Sequence, residues 1–96
     1  MLNIEESWDD MKFIKNPEIV VQRNDVGVVL LHMDSGEFYS LYDVSACIWG
    51  YIEQGLSQKK IVKKIASEYD VLEKKAFADV ELFLKKLHKE HLILVR

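Results

Sequence analysis

One cysteine, one proline and four scattered glycines are all that this 96-residue chain has of the residues that staple, break or loosen a backbone. A single Cys47 closes no internal disulfide, so burial alone must hold the fold. It falls within an apolar helical pattern, where an inert buried thiol is expected. No apolar run approaches the roughly 18–20 residues that a bilayer-spanning helix needs. Met1 to Glu6 has neither the basic start nor the continuous apolar stretch of a signal peptide, so the expected setting is cytoplasmic, with no membrane partner. Basic charge is not in excess either. Lys and Arg number 13 against 16 Asp and Glu, for a net charge of −3. That balance argues against a large nucleic-acid footprint, which needs a concentrated basic face.

Catalytic patterns are equally scarce. Gly27, Gly36, Gly50 and Gly55 are too dispersed for a phosphate loop. No serine stands in a nucleophile elbow. The adjacent carboxylates Glu5-Glu6 and Asp9-Asp10 lie on a polar segment, where solvation suffices. His88 and His91 have a spacing that can ligate a metal, but no cysteine or carboxylate cluster completes the set. Histidines near a helix C-terminus also favour the helix dipole without any metal. The expectation is therefore no catalytic residue, no metal and no cofactor.

What the chain does have is 49% hydrophobic residues in well-ordered periods. This is enough for one core and one domain. Residues 1–16 read as a lead-in segment, in which Ile4, Trp8 and Met11 suit a short amphipathic helix between Glu5 and Phe13. Pro17 ends that segment, and 17–96 reads as the domain. Ile19 to Arg23 is short and β-branched, hence a strand. Asn24-Asp25 is a turn pair, and Val26 to His32 is a second strand, apolar enough for both faces to be at least partly covered. Asp34-Ser35-Gly36 supplies the next turn, and Glu37 to Tyr42 a third strand.

From Asp43 the period changes from two to about 3.6. Asp43 or Ser45 can cap a first helix with the stripe Val44, Cys47, Ile48, Tyr51 and Ile52, widened by Trp49. Gly55 can end it in the left-handed conformation. Ser57 caps a second helix, with Ile61, Val62, Ile65, Ala66 and Tyr69 inward and Lys59, Lys60, Lys63 and Lys64 outward. A third helix, from about Glu73–Ala76 to Glu90, has the seam Phe77, Val80, Leu84 and Leu87. Phe83 lies beside the seam, and Leu82 points away from it. Leu92 to Val95 is a short extended tail or strand. The order β-β-β-α-α-α predicts a compact α+β domain of winged-helix kind, with a three-stranded antiparallel sheet followed by a three-helix cluster.

A meander leaves its third strand at an edge unless something covers it. An open edge beside an apolar helix suits capture of an extended peptide. Phe38, Tyr39, Leu82 and Phe83 can supply apolar pockets for such a guest, and they can equally be ordinary core. Each backbone hydrogen bond contributes about 0.5–1.5 kcal/mol, while ordering each peptide residue costs about 1–2 kcal/mol. Pairing alone roughly breaks even, so side-chain anchors at about 1.5–3 kcal/mol each must supply the surplus.

A set of positions in order, Arg23, Gly36, Tyr39-Ser40-Leu41-Tyr42-Asp43, Ala46, Ile48-Trp49, Gly55, Ser57, Ile61, Ile65-Ala66, Tyr69, Asp79-Val80, Phe83-Leu84, Leu87 and Leu92-Ile93, resembles the PqqD family. These are peptide-binding domains also called RiPP recognition elements, and the resemblance runs from about Pro17 to Val95. It implies a non-catalytic chaperone that takes the leader of a ribosomally made precursor as an added antiparallel strand. The chaperone then presents the precursor to a modifying enzyme or leader peptidase. Carried over, the resemblance makes Phe38, Tyr39, Ser40 and Leu41 the pairing edge and Asp79, Leu82, Phe83 and Lys86 the helical side. Glu37, at the start of the strand, is counted with them among the peptide-binding residues. Tyr42 departs from the asparagine the family often has, and His91 from its frequent glycine. A winged-helix DNA-binding regulator and a small structural subunit of an enzyme complex are the rival readings. An uncovered edge also admits a homodimer.

Overall fold

The computed structural model describes residues 10–95. Strands β1 (Phe13–Lys15), β2 (Ile19–Arg23), β3 (Gly27–His32) and β4 (Phe38–Tyr42) precede helices α1 (Asp43–Glu53), α2 (Gln58–Glu68) and α3 (Glu73–Lys89). A last strand, β5 (Ile93–Val95), closes the chain. The meander forms one antiparallel sheet in the order β2-β3-β4, and β1 pairs with β5 in a separate two-stranded sheet. This is the expected α+β architecture, with three strands followed by three helices. Val28 and Leu30 of β3, Leu41 of β4 and Ile19 of β2 are buried in one core with Ile48, Trp49 and Ile52 of α1 and Val80, Leu84 and Leu87 of α3. Alternate residues of β3 are buried and half-buried, so its unbroken apolar run serves one packed face and one partly covered face.

Several local expectations change in three dimensions. The helix proposed from Glu5 to Phe13 lies mostly outside the described residues. At its end, Phe13 is extended rather than helical, and is 1% exposed although it precedes Pro17. Its partner is the tail, in the register Phe13↔Val95 and Lys15↔Ile93. Neither Asp43 nor Ser45 caps α1, because β4 runs into the helix with no loop between them. The helix has no side-chain cap, and Asp43 itself turns the corner at φ 49°. Aspartate tolerates that region better than most residues. In α3, Ala76 rather than Phe77 continues the seam. Phe77 is 38% exposed, because buried positions spaced 4, 4 and 3 leave it on the rim.

Other signals are realised as read. The Ser57 hydroxyl accepts from the Lys60 N–H at 3.4 Å, and Gly55 adopts φ 83°. Helices α1, α2 and α3 each end with a bond spanning six residues, from Leu56 N–H to Tyr51 O, Val71 N–H to Ala66 O and Leu92 N–H to Leu87 O. In α1 and α3 a second bond, Gly55 N–H to Ile52 O and His91 N–H to His88 O, completes a Schellman turn. The left-handed residue is Gly55 in the first, but Asp70 (φ 52°) and His91 (φ 61°) in the others. Replacing His91 by glycine removes the Cβ clash of that conformation while keeping the turn. It should raise stability by about 1 kcal/mol in a urea titration, and an unchanged midpoint would refute the strain.

Candidate functional site

Hydrogen-bond parity decides which groups the edge of β4 exposes. His32 N–H donates to Glu37 O at 2.9 Å, and Gly36 N–H donates to His32 O at 2.7 Å. With Gly36 at φ 78°, this is a glycine-type bulge closing the β3–β4 hairpin. The register continues as Leu30↔Tyr39 and Val28↔Leu41. Hydrogen-bonded and non-hydrogen-bonded pairs alternate along an antiparallel ladder. The backbone groups of Tyr39 and Leu41 are therefore directed to β3, while those of Phe38, Ser40 and Tyr42 face outward. Among the described residues no strand occupies that outward side, since the tail pairs with β1 instead. The opposite border, β2, is partly blunted. Ile19 donates to Asn16 O at 2.9 Å, and Lys15 Nζ donates to Ile19 O at 2.7 Å.

Beside the open edge lies a groove of about 130 Å³ between β4 and the C-terminal half of α3, lined by Tyr39, Ser40, Leu41, Phe83, Lys86, Leu87, Glu90 and Leu92. Pockets for drug-sized ligands and cofactors are typically about 300–1,000 Å³. This groove is therefore sized for a side chain. The Tyr39 hydroxyl spans its end, 2.8 Å from Glu37 Oε1 and 3.1 Å from Glu90 Oε1. The hydrogen bond to Glu37, partial burial and the bond to Glu90 all push the phenol well above its ordinary range. Tyr39 thus remains a neutral donor tying the strand to the helix end.

The structure gathers Tyr39, Ser40, Leu41, Phe83 and Lys86 around this groove. Leu82, 72% exposed, lines an adjoining shallow hollow with Lys85, Lys86, Lys89 and Glu90. Glu37 reaches the groove through Tyr39. Phe38 projects on the sheet face away from it and is 68% exposed. Asp79 lines neither hollow and pairs with Lys75 at 3.1 Å. Sequence reasoning missed Leu87, Glu90 and Leu92. Leu87 and Glu90 stand four and seven residues beyond Phe83, a helical spacing that could have flagged them. Leu92 comes into place only through the turn at His91.

The lysine-rich exterior of α2 borders a different hollow, lined by Lys59, Val62, Lys63, Glu73, Lys74 and Phe77. Lys63 pairs with Glu73 at 3.5 Å, and Lys64 lies 5.5 Å from the Tyr51 ring centre. Among the described residues no helix is long and apolar enough to cross a membrane. Nor do three His, Cys, Asp or Glu side chains gather as metal ligands.

A family model described as "Coenzyme PQQ synthesis protein D (PqqD)" matches residues 27–93. The chain is also similar to two solved structures. One, described as "Lasso peptide synthetase B1 complexed with the leader peptide", has 32% identity and a TM-score of 0.81, over 86% of this chain and 98% of that one. Another, described as "TbiB1 in Complex with the TbiA(beta) Leader Peptide", has 31% identity and a TM-score of 0.80, over 83% of this chain and 93% of that one. No curated protein matches the chain.

Proposed function

The chain belongs to the PqqD family, and from that premise we propose that it captures the leader of a ribosomally synthesised precursor peptide by strand addition to β4. The observation that carries this reading is the unoccupied outward side of Phe38, Ser40 and Tyr42 beside a groove of side-chain size. Both similar structures are of proteins in complex with leader peptides, which supports the same reading. The guest gains backbone bonds from the edge, and residues opposite Tyr39 and Leu41 turn their side chains toward Phe83 and Leu87. Two or three such anchors bring a flexible peptide to about −8 kcal/mol, which is micromolar binding. Lys86 and Lys89 on the rim favour an acidic flank in the guest.

The protein has no chemistry of its own in this reading. It holds the leader while a modifying enzyme or a leader peptidase acts on the precursor. A regulator that reads DNA is disfavoured, because α3 presents both signs of charge and two α2 lysines are engaged with Glu73 and Tyr51. Isothermal titration with the leader half of a precursor encoded beside this gene should give micromolar binding. Silence with every neighbouring short peptide would end the proposal. Phe83→Ala should weaken that binding about tenfold or more through the lost anchor. Because Phe83 also packs against the core, the variant should lose about 1–2 kcal/mol of stability as well, so affinity is compared at a temperature where both proteins are folded. An affinity equal to that of the parent would remove the groove from the site.

A further inference from the structure

Strand addition at β4 places guest side chains on two faces, and only one of them is the groove. Guest residues opposite Tyr39 and Leu41 point toward α3. The guest residue opposite Ser40 must point to the other face of the sheet, because side chains alternate along a strand. That face carries an unusual amount of exposed apolar surface at the border. Phe38 is 68% exposed and Tyr42 52%. They stand two residues to either side of Ser40, whose small side chain leaves a notch between them. The Tyr42 ring rests over Gly27, to the extent that a Cβ there would lie 3.1 Å from Tyr42 Cδ1. One wall of the notch is thereby held in place. The other wall, Phe38, continues inward as a cross-strand row with Leu31 and Val20, the latter 48% exposed.

We propose that Phe38, Ser40 and Tyr42 form a second side-chain subsite, which takes a large apolar side chain from the guest residue pairing with Ser40. The proposal rests on strand capture at β4 and names the class of peptide preferred there, one with consecutive apolar residues. A strand read only by the groove would need apolar residues at alternate positions. Read on both faces, it needs them at three positions in succession, the middle one seated between Phe38 and Tyr42. Diagonal cross-strand neighbours about 7–8 Å apart are within reach of aromatic side chains, so both rings can contact the middle residue.

The test uses carboxyfluorescein-labelled peptides of the form Thr-Ser-Leu-X-Leu-Ser-Thr, with X as Leu, Phe or Ser, followed by fluorescence anisotropy. The parent protein should bind the Leu and Phe peptides about tenfold more tightly than the Ser peptide. The double variant F38T/Y42T, which keeps strand-forming side chains at exposed positions, should bind all three with the affinity the parent shows for Ser. Ser40→Leu, which fills the notch from within, should erase the preference in the same way. Circular dichroism confirms folding of each variant. Equal affinities in the parent, or a preference that survives in both variants, overturn the subsite and leave strand capture standing. Binding of none of the peptides by the parent counts against strand capture itself and takes the subsite with it.

Discussion

Proline at position 40 should all but abolish peptide capture in a protein that still folds, whereas proline at position 39 should damage the fold itself. The Ser40 N–H points to the vacant side of β4, so Ser40→Pro removes no bond from the sheet. It deletes the donor a guest would use, and it places a ring where the guest backbone must come. The lost bond and the obstruction together amount to about 2–3 kcal/mol, or a fall in affinity of roughly 30- to 150-fold. Tyr39 lies opposite Leu30 in the ladder. Tyr39→Pro removes that donor together with the hydroxyl shared between Glu37 and Glu90, and should cost about 3 kcal/mol of folding stability or more. Titration calorimetry and urea denaturation on both variants separate the two effects. Unimpaired binding by folded Ser40→Pro would show that no peptide pairs with this border.

A methyl group added at Gly27 should be the most damaging small change in the sheet. A Cβ there would lie 2.1 Å from the Leu41 carbonyl oxygen and 3.2 Å from its carbonyl carbon. Backbone cannot rotate away as a side chain can, so β3 and β4 must separate at that end. The expected loss is about 3–4 kcal/mol. Any molecules that fold would carry a displaced β4 and bind peptide poorly. Gly50, in the interior of α1, supplies the internal comparison, since an added Cβ meets nothing within 4 Å. Gly50→Ala should stabilise by about 1 kcal/mol through helix propensity. One substitution type then shifts the denaturation midpoint in opposite directions at two sites. A shared sign would contradict the packing described around β3 and β4.

Much of this molecule is legible as a string because its elements are short and periodic. The β-branched run at Ile19, the change of period at Asp43, the cap at Ser57 and the stop at Gly55 are local signals with local causes. The left-handed corners at Asp43, Asp70 and His91 are harder to read, since aspartate and histidine tolerate positive φ better than most residues but adopt it in only a minority of places. They arise where a strand or helix must turn within one residue to keep both neighbours packed. Phe77 shows another limit. Its spacing suits the seam of α3, yet the helix is rotated so that Ala76 takes that place in the core and Phe77 is left on the rim.

The order of strands and helices, the apolar faces and the presence of a third strand after a glycine turn are determined by residue chemistry along the chain. Which border of the sheet stays vacant was decided only by folding. The tail could have lain along β4, but it pairs instead with Phe13–Lys15, far from it in sequence, because that arrangement buries Phe13 and Ile93 together. Register adds the last choice, turning Ser40 outward and Tyr39 inward. A shift by one residue would reverse both, and no property of either residue alone specifies it.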